Sequence, residues 1–431
     1  MKQVRYPESW GHRRLKFIAD VKTSNVDKHV HDDEIPVRLC NYTDVYYNRV
    51  ITDDMELSAG SVTLHELNRF GLRRGQVLMT KDSESWDDIA VPAYVSQDMP
   101  EVVCGYHLAM VEPLDDELDG EFFCWAAQTH TINDHYKLEA RGVTRFGLGH
   151  YALKNVEIGF PSKDRQRAIN AFLRNKTAEI DHLIAKKLDL LGLLAEKRSA
   201  LITRAVTKGL DPTAPMKSSG IDWLGDIPAH WDSTFRLKFL TTVSGGLTPA
   251  TANADYWRGD IPWVSPKDMK VFDIADSEDH VTELALEETS LSLIDPGAVL
   301  FVVRGMILAH TFPIAVNSVA VTVNQDMKAL RCGDRLTPKF LAYFLRGIDR
   351  HILSLVETSA HGTKALRSES WREVNVPLPP REEQFTILAK IDDGLAEIDK
   401  SEALIRSAID QLTEYRAAII TKAVTGELEV T

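Results

Sequence analysis

The sequence predicts an α+β chain in which two mixed α/β domains are separated by two long helices, the whole built as an internal pseudo-two-fold repeat. Residues 161–207 match residues 379–425 at a constant offset of 218, with 18 of the 47 positions identical and no gap. Both segments carry apolar residues on a heptad, the mark of helices that pack along a seam. The regions before them are short apolar runs broken by Gly, Pro, Asn and Asp, which read as strands and turns of mixed domains. A period this long means two copies of a domain plus helix, not a solenoid of short units.

Residues 1–157 form the first expected domain and residues 221–377 the second. Their sequences differ strongly, but GQVLMTK at 75–81 and GAVLFVVR at 297–304 occupy corresponding places, and RLKF at 14–17 returns at 236–239 behind the paired Pro7/Pro228 and Trp10/Trp231. The first long helix is expected within 158–208, where FPSKDRQ puts a proline ahead of acidic and polar residues, as helix starts are written. Its seam is Leu173, Ile180, Ile184, Leu191, Leu194, Leu201 and Ala205, with Thr177, Lys187 and Arg198 as polar exceptions. GLDPTAPMKSSG at 209–220 reads as a linker. The second long helix is expected within 378–425, after LPPREEQ, with a seam of Ile391, Leu395, Ile398, Ile405, Ile409, Leu412, Ile419 and Ala423 and the exceptions Glu402 and Arg416. Residues 426–431 are a tail. Gly192 and Gly394 lie inside the heptads at about 1 kcal/mol each relative to Ala, so a bend or fraying is expected there.

A chain of 431 residues with 44% hydrophobic content can build two or three cores. No stretch approaches the roughly 18 apolar residues of a membrane span, and the amino terminus lacks the pattern of a secretion signal. A cytoplasmic protein away from any membrane is the expectation. Cys40, Cys104, Cys124 and Cys332 lack CxxC spacing and read as reduced thiols, structural or incidental. The net charge of -13 sits awkwardly with polyanion binding. It is unevenly divided: residues 161–208 carry +6 and residues 379–431 carry -5, which suits pairing of the two helices, a solvated charge face being the plainer reading.

Catalytic signatures are missing: there is no P-loop, no HExxH and no GxSxG elbow. His29 and His31 in VDKHVHDDE read as a solvated loop before a metal pair, and Asp87, Asp88 and the run 115–117 as surface charge before a carboxylate site. The composition of the chain is that of a binder or organiser, with no catalytic residue and no metal site.

The second half carries GIDWLGDIPAHW at 220–231, YWRGDIPWVSPKDM at 256–269, LAHTFPIAV at 308–316, VNQDMKAL at 323–330, HGTKALRSESW at 361–371, VPLPPREEQ at 376–384 and KAVTGEL at 422–428. In these strings and their order the chain resembles the specificity subunits of type I restriction-modification systems. With the duplication the resemblance spans essentially the whole chain. The first half departs further, FPSKDRQ replacing the PLPPxxEQ form and ARGVTRFG at 140–147 standing as a looser HGTKALR.

The resemblance implies a non-catalytic reader of double-stranded DNA with two target-recognition domains, each reading one half of a bipartite, asymmetric sequence. The two helices would pack as an antiparallel coiled coil that sets the spacer and helps to dock two methyltransferase subunits, with restriction/translocase subunits in the full complex. It implies no cofactor on this chain: S-adenosylmethionine, ATP and Mg2+ would belong to the partners. A coiled-coil adaptor that binds protein without reading DNA is the alternative. Because phosphates take cations and small donors while base edges take forked or amide side chains, the candidate contacts in the second domain are Arg304, Lys328, Lys364 and Arg367, with Thr363 and Ser368 as phosphate donors. Asn324 and Gln325 are either amide readers or braces of a turn. In the first domain the candidates are Arg69, Arg73, Arg74, Lys81, Thr144 and Arg145. Trp86, Trp257 and Trp263 are expected to pack in the core or in turns instead of stacking on bases.

Overall fold

The computed structural model describes residues 6–114, 117–358 and 362–430. The acidic residues Asp115 and Asp116, and His361 of the HGTKALR string, lie outside the described residues. The chain divides into two compact units, Met1–Lys187 with Arg406–Thr431, and Leu188–Ile405. The units therefore cut across the sequence segments: each holds one domain, the first part of one long helix and the last part of the other.

Each unit is built on a five-stranded sheet of the same order and sense. In the first unit the order is Ala19–Thr23, Leu108–Pro113, Val77–Thr80, Pro92–Val95, Val50–Ile51. In the second it is Thr241–Gly245, Met327–Cys332, Val299–Val302, Ile314–Asn317, Asp273–Ile274. All neighbours pair antiparallel except the last pair in each sheet, which is parallel. The middle strands come from GQVLMTK and GAVLFVVR, and both are buried along their whole length. That is why they read as continuous apolar runs and not as alternation. Each is entered from a left-handed glycine, Gly75 at φ 95° and Gly297 at φ 86°, a conformation that Cβ-bearing residues rarely adopt.

A second small sheet lies in each unit, with Ile35–Cys40 parallel to Met99–Cys104 in the first and Trp257–Val264 parallel to Thr322–Val323 in the second. Trp257 and Trp263 meet edge to face at 5.2 Å, and their indoles donate to Ala250 and Leu247 carbonyls, so both pack as expected. Trp86 differs. It is 51% exposed, in the turn segment that follows the strand Asp82–Ser83.

The long helices run from Lys163–Lys208 and Arg381–Thr425, about 69 and 68 Å at 1.5 Å per residue. Both continue unbroken through Gly192 and Gly394, so the expected fraying is absent. In the first unit Ile169, Leu173 and Ile180 share the core with Ile419, Ile420 and Ala423; in the second, Ile202, Ala205 and Val206 share it with Ile387, Leu388 and Ile391. The start of one helix thus lies with the end of the other in each unit, and the pairing is antiparallel. Of the seam, Leu173, Ile180, Ile391, Ile398 and Ile419 are buried, while Ile184, Leu191, Leu194, Leu201, Leu395, Ile405, Ile409 and Leu412 are half-buried.

The polar exceptions have a use. Arg198 pairs with Asp399 and with Glu402 at 3.3 Å in the second unit, and its repeat mate Arg416 pairs with Asp181 at 2.9 Å in the first. Charged seam residues that meet only in one alignment select a register against slipped ones. Gly394 leaves room for Leu201, since a Cβ there would stand 2.6 Å from Leu201 Cδ2. Gly192 faces open space. Gly192→Ala is therefore expected to stabilise the chain by about 1 kcal/mol through helix propensity, and Gly394→Ala to lose that gain to the Leu201 contact; paired urea melts measure the difference.

Two further expectations are refined. Part of the expected linker is ordered as a strand, Met216–Ser218, which pairs antiparallel with Asp226–Pro228. At the tail, Val430 is buried in the first unit's core and Gly426 lies against Pro7 and Trp10. Among the described residues no helix is long and apolar enough to cross a membrane.

Candidate nucleic-acid interface

In each domain a buried glutamine at the start of the long helix recurs among the bonds that tie the two together. Gln166 donates to the Glu117 and Pro161 carbonyls at 2.7 and 2.9 Å and accepts from the Asp119 amide at 2.8 Å. Gln384 donates to Arg335 and Pro379 carbonyls at 2.9 and 3.1 Å and accepts from the Thr337 amide at 2.8 Å. Every partner is displaced by the same 218 residues, and both side chains are 0% exposed. This is what the glutamine of FPSKDRQ and LPPREEQ is for, and it holds the sheets in one orientation to their helices.

On that frame the candidate residues gather at the exit of each middle strand. In the first unit Lys81 follows the strand Val77–Thr80, and the hairpin Arg141–Gly142/Phe146–Gly147 is laid on Asp82–Ser83. Lys81 Nζ lies 2.7 Å from Asp82 Oδ2 and 5.1 Å from the Tyr106 ring centroid. Asp82 Oδ2 also meets His107 Nδ1 at 2.7 Å. With the Nδ1 proton facing Asp82, Nε2 is left to accept from Arg145 at 3.2 Å. Burial disfavours a charged Asp82, but the hydrogen bonds from Lys81 and His107 outweigh it and its carboxyl lies below the ordinary value. Thr144 and Arg145 stand at the exposed hairpin tip, beside Val143 at 92% exposure.

In the second unit the corresponding strand exit carries Arg304, one residue past the counterpart of Lys81, and the hairpin Glu357–Thr358/Lys364–Ala365. Arg304 bridges Ala365, and the Gly305 amide donates to the Lys364 carbonyl at 3.0 Å. The equivalence is residue by residue: Leu148 donates to the Lys81 carbonyl in one unit and Leu366 to the Val303 carbonyl in the other, both at 2.8 Å. Arg304 Nε is 3.6 Å from Asp326 Oδ1, Arg367 Nε is 2.7 Å from Glu357 Oε2, and Lys364 Nζ donates to Thr358 Oγ1 at 2.8 Å. Thr363 lies in the hairpin and Ser368 is the exposed first residue of the short helix Ser368–Trp371. Lys328 lies on the neighbouring strand, opposite Phe301 and Gly245.

Not every candidate joins these clusters. Arg73 and Arg74 precede the strand that Lys81 follows, so its length of roughly 13 Å and the turn at Gly75 hold them at the opposite end. Their amides are tied to Gln76 Oε1 and Asp98 Oδ1 at 2.8 and 2.9 Å. Arg74 instead lines a cavity of about 450 Å³ with Tyr94, Asp119, Glu121, Arg167 and Arg174. Arg69 stands in the last turn of Leu64–Phe70, 5.3 Å from the Phe70 ring. Asn324 is a turn brace: it is 7% exposed and its Oδ1 accepts from the Asp326 amide at 3.1 Å. Gln325 is exposed and accepts from the Thr248 hydroxyl.

The sequence reading missed the groups that answer the cations, namely Asp82, His107, Asp326 and Glu357. It also missed Met306 and Ile307, exposed on the turn after Arg304. The only local signal was adjacency, Asp82 to Lys81; Asp326 lies 22 residues from Arg304, and His107 25 from Asp82. His29 stands in an exposed loop, Asp88 accepts from the Tyr46 hydroxyl at 2.7 Å, and among the described residues no group of three or more His, Cys, Asp or Glu is placed to hold a metal. Burial pushes the Cys124 and Cys332 thiols up to about 12, far from thiolate at neutral pH.

Residues 228–411 match the family model of the type I restriction modification DNA specificity domain. The chain is 29% identical over 190 residues to the type I restriction enzyme MjaIX specificity subunit of Methanocaldococcus jannaschii, covering 42% of each chain. It is 32% identical over 149 residues to the EcoR124I/EcoR124II specificity subunit of Escherichia coli, covering 34% of this chain and 37% of that one. The alignments thus span about two-fifths of these curated relatives. Over nearly the whole length, the fold matches a chain from a solved structure addressing complex assembly and conformational transition of the type I R-M system, with a TM-score of 0.69, 17% identity, and 98% and 100% of the two chains covered. Motif order and the match over residues 228–411 point to the same family, and the fold is that of a type I R-M chain: this chain is similar to type I restriction-modification specificity subunits.

Proposed function

We propose that this chain is the non-catalytic DNA-recognition subunit of a type I restriction-modification complex, reading one half of a bipartite, asymmetric target with each domain. The observation that carries the reading is the pairing of a repeated frame with differing tips. Strand order, pairing sense and the glutamine fastening recur in both units, whereas one tip carries Lys81, Thr144 and Arg145 and the other Arg304, Lys364 and Arg367. A repeated frame presents equivalent surfaces to two identical partners, and different tips read different half-sites. Residues 1–157 and 221–377 are then the two readers. Within them the phosphate contacts come from Lys81, Thr144, Arg145, Arg304, Lys328, Thr363, Lys364, Arg367 and Ser368, with Gln325 as an amide reader. The helices set the spacer and help to dock two methyltransferase subunits, with restriction/translocase subunits completing the complex in the cytoplasm. S-adenosylmethionine, ATP and Mg2+ act on those partners.

The test is co-expression with the methyltransferase subunit and mapping of methylated positions across the host genome. One bipartite motif with a fixed spacer is expected. Exchanging residues 1–157 for another recognition domain should change one half-site and leave the other intact. Verified assembly with unpatterned methylation would instead identify a protein-binding adaptor.

A further inference from the structure

A chain of net charge -13 that reads a polyanion needs its cations kept from binding phosphate everywhere, and the interface shows how. In both units cations at the tip are held by carboxylates: Lys81 by Asp82, Arg145 through His107 by Asp82, Arg304 by Asp326, and Arg367 by Glu357. Asp82 stands in the strand register of Arg304, so acid and cation exchange places between the two tips while the pairing of cation with carboxylate recurs. We infer that Asp82, Asp326 and Glu357 restrain the DNA-facing cations and thereby suppress binding to non-target duplex. This deepens the DNA-reading proposal above and rests on it.

The energetic scale suits a restraint. Ion pairs with an exposed member are weak, and Arg304–Asp326 and Arg367–Glu357 each correspond to roughly a two- to five-fold bias; Lys81 and Asp82, 15% and 19% exposed, are held more firmly. Non-specific binding is almost wholly cation to phosphate, and a carboxylate left beside a phosphate meets only like charge. At the matching sequence the released carboxylate has another partner, since Asp and Glu accept from the cytosine amino group. The restraint therefore weighs more on the wrong duplex than on the right one.

The test uses the assembled complex with the methyltransferase subunits, the duplex bearing the mapped target, and a duplex of equal length without it. Asp82→Asn, Asp326→Asn and Glu357→Gln keep shape and remove charge; melting curves establish that each variant folds. The triple variant should bind the non-target duplex on the order of tenfold to a hundredfold more tightly than wild type, with a steeper salt dependence, while the target gains less and the ratio between the two falls. Asp222→Asn, an exposed acid outside the hairpins and the middle strands, controls for the loss of one charge. Unchanged non-target affinity, an equal gain on both duplexes, or the same gain per removed charge from Asp222→Asn overturns the restraint while leaving the reader intact. A wild-type complex that retains neither duplex above background overturns the DNA reading itself.

Discussion

Gln384→Ala is expected to destabilise the second unit by about 3–5 kcal/mol. The substitution strands the buried Thr337 amide and Pro379 carbonyl and removes the donor to the part-buried Arg335 carbonyl, and each unsatisfied buried group costs about 1–3 kcal/mol, with incomplete additivity. Gln166→Ala should act equally on the first unit, because its three partners are the same three positions 218 residues earlier. Glu382→Ala, on the exposed side of the same helical turn, should change stability by less than about 0.5 kcal/mol. Urea unfolding of the three variants measures this, and a loss under about 1 kcal/mol for Gln384→Ala would show that the domain is held to its helix by other interactions.

The second large effect is on binding. Removing Arg304, Lys364 and Arg367 together, each to Ala, should weaken target binding by the assembled complex on the order of 10²–10³-fold at about 0.1 M salt. The slope of log K against log salt should fall in magnitude by about 2.7, because each phosphate that a cation no longer neutralises takes about 0.9 from it. Titration at several salt concentrations reads both quantities. An unchanged slope would remove these residues from the phosphate-facing surface and leave Lys328 as the second unit's basic candidate. The three side chains are surface-exposed or half-buried and carry no core packing, so the fold should survive.

These two predictions rest on different kinds of legibility. The glutamines could be singled out from the chain alone, since Gln166 and Gln384 are identical at the repeat offset, but what they hold could not. Their partners at residues 117–119 and 335–337 lie 47 and 49 positions away. The heptads were readable in full because a 3.5-residue period is a property of one segment, and Arg198 and Arg416 stood out as exceptions to it. Their pairing with Asp399 and Asp181 required the second helix to be turned against the first.

The candidate site divides the same way. Residue type and resemblance point to Lys81, Arg145, Arg304, Lys364 and Arg367, and the fold gathers them at the strand exits. The same grounds point to Arg73 and Arg74, which lie at the other end of the strand, because residue type says nothing about which end of an extended segment faces a ligand. Of the two readings of Asn324, the brace has a bond in the fold, its Oδ1 accepting from the Asp326 amide.

By itself the sequence determined the duplication, the two long helices, the strand-rich domains and the resemblance to one family, since period, offset and motif order are carried along the chain. Only the tertiary structure decided that the two units share one strand order, that each pairs the start of one helix with the end of the other, and that Lys81, Arg304 and Arg367 are each answered by a carboxylate. His107 is 25 residues from Asp82 and 38 from Arg145, and Asp326 is 22 from Arg304. Such groups meet only after the sheet has chosen its order, and that choice is made by burial of the middle strands, not by the charges that come to rest at their ends.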